Sequence, residues 1–158
     1  MKHKPVDKLL NDEKINQVAM PKYLDAPPDI SIERAVELMQ EKRHGYVILT
    51  ENKKVVGIFT ETDLIRKVLG NKVSWDSPIR SVMSPKPILL TANDSVGKAI
   101  DIMGEHRFYH IPIVNDKEEI TSVVSVRSII RFLAEYYPDE VLNLPPDPDK
   151  IMDTPEGG

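Results

Sequence analysis

Val18-Ala19-Met20-Pro21-Lys22 returns as Val82-Met83-Ser84-Pro85-Lys86, 64 residues further on (82 − 18). The same offset carries Ser31-Ile32 onto Ser95-Val96, Ala35 onto Ala99, Met39 onto Met103, Glu41 onto Glu105 and Arg43 onto Arg107. A fixed offset of this kind marks two copies of one unit of about sixty residues, and it constrains the fold before any single element does.

Within each copy the elements can be read in turn. Ile32, Ala35, Val36 and Met39 stand at i, i+3, i+4 and i+7, as do Val96, Ala99, Ile100 and Met103, so each copy has an amphipathic helix with one apolar face. Caps are expected at Asp29 or Ser31 and at Asn93 or Ser95. Tyr46-Val47-Ile48-Leu49 and His110-Ile111-Pro112-Ile113-Val114 are then each followed by a charged turn and a second apolar run, which predicts a β-hairpin. The second turn is one residue longer, so the offset becomes 65 beyond it (125 − 60, Ser125 over Thr60). A helix closes each copy, Glu61 to Leu69 with Gly70 as its stop, and Val126 to Tyr137 before Pro138.

The unit is a short strand, a helix, two antiparallel strands and a helix: an α+β fold. One copy cannot bury both its helices and its sheet, so the two are expected to pack sheet against sheet. The boundaries read as an arm over 1–14, repeats over 15–74 and 75–138, and a proline-rich tail over 139–158. Leu9, Leu10 and Ile15 are free to dock the arm, and Val141, Leu142 and Leu144 the tail. Trp75, in the connector, reads as a hydrophobic plug.

Gly57-Ile58-Phe59-Thr60-Glu61-Thr62-Asp63 joins strand to helix in the first copy. Thr60 and Asp63 have the spacing of a capping box. Gly57 weakens a strand unless something approaches the backbone closely. The second copy has Ser122, Ser125 and Ser128 where the first has Gly57, Thr60 and Asp63.

Composition narrows the function classes. With 41% hydrophobic and 29% charged residues the chain reads as an ordinary globular protein, and a net charge of −4 gives no reason to expect nucleic acid or an anionic membrane. There is no cysteine, which removes disulfides and thiolate chemistry and suits a reducing compartment, with the cytoplasm as the expected location. No export signal or membrane span is expected from the apolar runs.

The two copies resemble a tandem pair of CBS (cystathionine-β-synthase-type) domains, the Bateman module, over about Ile15 to Tyr137. The proline-bearing lead-in segments, the Glu-Lys-Arg and Glu-His-Arg helix ends and Gly-Ile-Phe-Thr-Glu-Thr-Asp carry that resemblance. It implies a non-catalytic module for an adenosine-containing ligand: AMP, ADP, ATP, S-adenosylmethionine or NAD. It also implies that the acid at Asp63 accepts the ribose hydroxyls and that the hydroxyl at Thr60 reaches the 5' substituent. The purine is then expected between Ala19 to Leu24 and His44-Gly45-Tyr46, with Gly57 allowing close approach. Met83, Ile88, Phe108, Tyr109, His110, Ser125 and Ser128 are the expected second site, with Arg107, Arg127 and Arg131 available to phosphate. A carboxylate suits a vicinal diol better than a neutral hydroxyl does, so the first site is expected to be the stronger.

Other chemistry has less support. His106 and His110 stand four apart, but the run from Phe108 reads as a strand and brings no third ligand, so no metal is expected. No Gly-x-Ser-x-Gly or Walker-type loop occurs, and no cofactor is required. Two functions follow: a nucleotide-sensing regulator, expected as a homodimer acting on a partner protein, or a docking subunit with partly degenerate sites.

Overall fold

The computed structural model describes residues 5–136. Tyr137, expected as the last residue of the closing helix, and the tail expected over 139–158 lie outside the described residues.

Two β-α-β-β-α units are present, as the repeat requires. Helix α1 (Val6–Asp12) and a 3-10 turn (Ile15–Gln17) precede strand β1 (Asp25–Ala26), helix α2 (Ile32–Lys42), and the hairpin β2 (Tyr46–Glu51) and β3 (Lys54–Thr60). Helix α3 (Glu61–Asp63) follows β3 and widens into a π turn over Leu64–Leu69. The second unit has a 3-10 turn (Ile79–Ser81), β4 (Ser84–Pro85), β5 (Leu90–Thr91), α4 (Val96–His106), the hairpin β6 (His110–Val114) and β7 (Ile120–Ser125), and α5 (Val126–Tyr136).

Serine caps both long helices of the repeat. Ser31 Oγ accepts from Arg34 N–H (3.1 Å) and Ser95 Oγ from Lys98 N–H (3.0 Å), so Ser31 and Ser95, not Asp29 and Asn93, are the caps. Both helices end on an arginine in the left-handed region, Arg43 (φ 56°) and Arg107 (φ 55°), where no glycine announces the stop. Gly70, by contrast, ends its helix with φ −69° and donates to Ile65 O across the π turn (3.0 Å).

Sheet topology departs from two self-contained repeats. The first sheet runs β1-β2-β3-β4, and β4 belongs to the lead-in of the second copy. Reciprocally, Met20 from the lead-in of the first copy pairs with Val123 on β7, with N–H···O bonds in both directions (2.8 and 3.1 Å). The cores follow the same exchange. Ile79 and Val82 are buried among Ile32, Ala35, Met39 and Phe59, while Ile15 and Val18 are buried among Val96, Ala99, Ile111 and Ile129. Each lead-in therefore closes the core of the other unit.

The arm joins the second core. Leu9 is 2% exposed there, and α1 lies close on α4 because Gly97 has no Cβ: one built at that position would stand 2.8 Å from Asn11 Oδ1. The connector does the same for the first unit. Ser77 O accepts from Ile32 N–H, as Glu13 O accepts from Val96 N–H (2.9 Å each), the two bonds being related by the repeat offset. Trp75 is 38% exposed and outside the core clusters, so it is not a plug; its backbone carbonyl holds the connector by accepting from Glu33 N–H (3.0 Å).

A third cluster, Tyr46, Ile48, Ile120 and Val123, lies between the two hairpins and packs sheet on sheet as expected. The hairpin turns meet as well, Ile120 N–H donating to Lys53 O (3.0 Å). No helix among the described residues is long and apolar enough to cross a membrane.

Candidate functional site

The two strand-to-helix junctions share one backbone design and differ in what fills the space beside it. At the first, Thr60 N–H donates to Asp63 Oδ2 (3.0 Å) and Asp63 N–H to Thr60 Oγ1 (3.3 Å), a complete capping box. Lys67 Nζ stands 3.2 Å from Asp63 Oδ1 and donates to Ser84 Oγ (3.0 Å) on β4. Asp63 is 9% exposed, and its two oxygens are engaged by groups of the chain itself.

Gly57 faces Met83. A Cβ at Gly57 would overlap the Met83 sulfur and stand 2.9 Å from its Cγ, so the missing side chain makes room for a thioether of the other copy rather than for open space. The counterparts in the second unit are Ser122 and Ala19, by the offsets of 65 and 64. The larger strand residue is matched there by a smaller lead-in residue.

At the second junction Ser125 N–H donates to Ser128 Oγ (3.0 Å), Ser128 N–H to Ser125 Oγ (3.0 Å), and the Ser128 hydroxyl to Ser125 O (2.9 Å). The cap is kept without a carboxylate. Two cavities open beside it. One, of about 180 Å³, is lined by Val18, Ala19, Met20 and Phe132, with Gln17 and Glu135 at its polar edge. The other, of about 220 Å³, is walled by Tyr46, His110, His44 and Val123, and carries Lys22, Arg43, Arg127 and Arg131. Met20, Ser128 and Arg131 line both, so the two adjoin.

Three rings form the inner wall. Tyr46 and His110, which are repeat counterparts, meet with centroids 4.5 Å apart, and His44 lies 5.1 Å from Tyr46. Burial pushes the Tyr46 hydroxyl up to about 12, against the pull of a backbone hydrogen bond at Leu24. Burial and then the neighbouring charge of His44 hold His110 down to about 4, so its imidazole is neutral at physiological pH.

The expected residues are thereby regrouped. Ala19, His44, Gly45, Tyr46, His110, Ser125, Ser128, Arg127 and Arg131 gather at the second junction. Thr60, Asp63, Gly57 and Met83 form a separate cluster at the first, while Leu24 is buried in the first core. Ile88 is half-buried between β4 and β5. Phe108 and Tyr109 are 40% and 58% exposed, with Phe108 stacked on His106 and Tyr109 O accepting from Val126 N–H. Arg107 caps α4 and lines neither cavity. The grouping expected from the sequence joined each lead-in to its own copy, and the exchange of lead-ins is the reason it differs. Met20 and Lys22 fall within the Ala19 to Leu24 stretch expected beside the purine, whereas Arg43 and Phe132 were not anticipated; the offset relating Arg43 to Arg107 was the available signal for the first.

Comparison with known proteins gives a consistent picture. The CBS domain model matches residues 15–70 and again 79–135. An uncharacterized 17.7 kDa protein of Acidianus ambivalens is 30% identical over 125 residues, covering 78% of this chain and 75% of that protein. Other curated relatives are longer, and the chain spans between 15% and 62% of their length. Among solved structures, an uncharacterized conserved protein from Pyrococcus horikoshii superposes with a TM-score of 0.72 at 27% identity, over 77% of this chain and 92% of that one. A CBS domain protein from Pyrobaculum aerophilum, solved in complex with AMP, superposes with a TM-score of 0.69 at 23% identity, over 73% and 89%.

Proposed function

The chain belongs to the CBS-domain family, as a tandem pair, and from that premise we propose that it is a regulatory module binding an adenosine-containing ligand in the cleft between its repeats. The observation that carries the reading is the pair of adjoining cavities at the second junction. The smaller compartment, whose Val18, Ala19, Met20 and Phe132 offer an apolar side to a planar base, adjoins one that is polar and cationic, as the remainder of a nucleotide requires. AMP in the Pyrobaculum aerophilum structure belongs to that protein, and it supports the choice of ligand class here. The role is regulatory rather than catalytic, and a sequence without cysteine suits the cytoplasm.

A ligand that binds only the folded chain raises its melting midpoint, so the test is a thermal-shift panel of AMP, ADP, ATP, S-adenosylmethionine and NAD. At least one is expected to shift the wild type. Ala19→Met, which copies the methionine of the first unit, is expected to fill the apolar cavity and abolish the shift. Asp63→Ala is expected to lower the midpoint but keep the ligand-induced rise, because that carboxylate serves the cap and Lys67. A wild type that responds to none of the five overturns the reading.

A docking role has its own observation. Ile65 (63% exposed) and Leu69 (56%) on the π turn and Ile130 (53%) on α5 leave apolar side chains on the outer helices. A second copy of the chain is the proposed partner for them, so that the sensor works as a homodimer. Sedimentation of Ile65→Lys/Ile130→Lys against the wild type tests this: the wild type is expected as a dimer and the variant as a monomer.

A further inference from the structure

The larger cavity at the second junction gathers positive charge. Lys22, Arg43, Arg127 and Arg131 line it, and none of the four forms an ion pair with a described residue. Ion pairs engage Arg34 with Glu37 and Glu41, Arg80 with Asp29 and Glu51, Lys98 with Asp94 and Lys67 with Asp63, and none of these cations lines the compartment. No carboxylate lines the larger compartment, and the nearest on the lining is the exposed Glu135 at the edge of the apolar one. Glu61 stands behind the lining residue Gly45, where a Cβ would lie 3.2 Å from its carboxylate, but the four exposed cations share a compartment whose own lining is free of acid, so an anion seated there lowers their mutual repulsion.

The hydroxyl side of recognition is correspondingly poor. Ser128, buried at 6% exposure, gives its proton to Ser125 O and already accepts from Ser125 N–H. It has no proton to offer a ligand and is a neutral acceptor where the first unit has a carboxylate. A guanidinium, on the other hand, holds a phosphate with two parallel, charge-assisted bonds. The neutral His110 adds no charge and leaves the ring wall to stack or pack.

We propose that this cavity reads its ligand through a chain of phosphates and leaves the ribose hydroxyls unread: it takes a nucleoside di- or triphosphate, with ribose or deoxyribose alike. The proposal rests on the adenosine-ligand reading above and names the chemical class within it. S-adenosylmethionine, a net cation whose sulfonium and ammonium outweigh its one carboxylate, meets four like charges and is disfavoured on the same ground.

Isothermal titration of the full chain with ATP, 2'-deoxy-ATP, adenosine, S-adenosylmethionine and inorganic tripolyphosphate tests it. ATP and 2'-deoxy-ATP are expected to bind within about threefold of each other, since the neutral Ser128 hydroxyl is already engaged with the Ser125 backbone and has little to offer the 2'-hydroxyl. Adenosine and S-adenosylmethionine are expected to bind far more weakly. ATP affinity is expected to fall with ionic strength, and Arg43→Gln and Arg131→Gln are each expected to lower it about tenfold or more. The thermal midpoint of each variant reports its folding separately. If adenosine or S-adenosylmethionine binds as tightly as ATP, or 2'-deoxy-ATP binds tenfold more weakly, the phosphate proposal is overturned and the adenosine reading stands. If tripolyphosphate binds as tightly as ATP, the cationic site stands and the adenosine reading fails. Binding of none of the five overturns both.

Discussion

Gly57 and Asp63 each carry a structural contact beside the ligand role that the resemblance implies. Gly57 lies against Met83, and Asp63 completes the expected capping box with Thr60 and pairs with Lys67. Gly57→Ser, which copies the residue of the second unit, forces the Met83 thioether aside. A flexible side chain yields more cheaply than backbone, so the cost is expected at the low end of overpacking, about 1 kcal/mol. Met83→Ala alone loses packing, about 2 kcal/mol. The pair together reproduces Ser122 with Ala19, and urea denaturation is expected to show it losing clearly less than the sum; strict additivity would mean that the two side chains do not compete. His110 supplies a pH test. Its folded value is about 4 against 6.5 for the free side chain, so protonation favours the unfolded chain. Its contribution is complete above pH 6.5 and is lost as the pH falls through that value toward 4. Denaturation midpoints are expected to drop over that window, and less so in His110→Phe.

At the scale of elements the repeat gives internal controls. Ser31 and Ser95 cap α2 and α4 with equivalent bonds, and Ser→Ala at either is expected to cost about 1 kcal/mol in urea denaturation. Arg43 and Arg107 both end a helix in the left-handed region, where glycine avoids a Cβ clash worth roughly 1 to 2 kcal/mol. Arg43→Gly and Arg107→Gly are therefore both expected to raise the midpoint. Only Arg43 lines the cavity, so only Arg43→Gly is expected to weaken ATP binding, measured by titration beside the stability data. Helix periodicity, the serine caps and both hairpins were legible because each depends on residues close in sequence. The left-handed arginines were not, since no local pattern distinguishes them, and neither was the π turn after Asp63.

At the scale of the whole molecule the exchange of lead-ins makes the two units one cooperative body. Ile79 and Val82 complete the first core, Leu9, Ile15 and Val18 the second, and β4 extends the first sheet. A fragment of residues 15–74 lacks Ile79, Val82 and β4, and circular dichroism is expected to show no cooperative melt for it, whereas 5–136 melts in one transition. The sequence by itself determined the number of units, the order of elements in each and the family, because a repeated period and local apolar patterns survive in one dimension. It also marked the two junctions as the places to look. Only the tertiary structure decided which lead-in lies beside which junction, because each lead-in crosses to the sheet of the other copy. Met83 lies on Gly57 and Ala19 at the second cavity through contacts between the two copies, and no spacing within one copy records them.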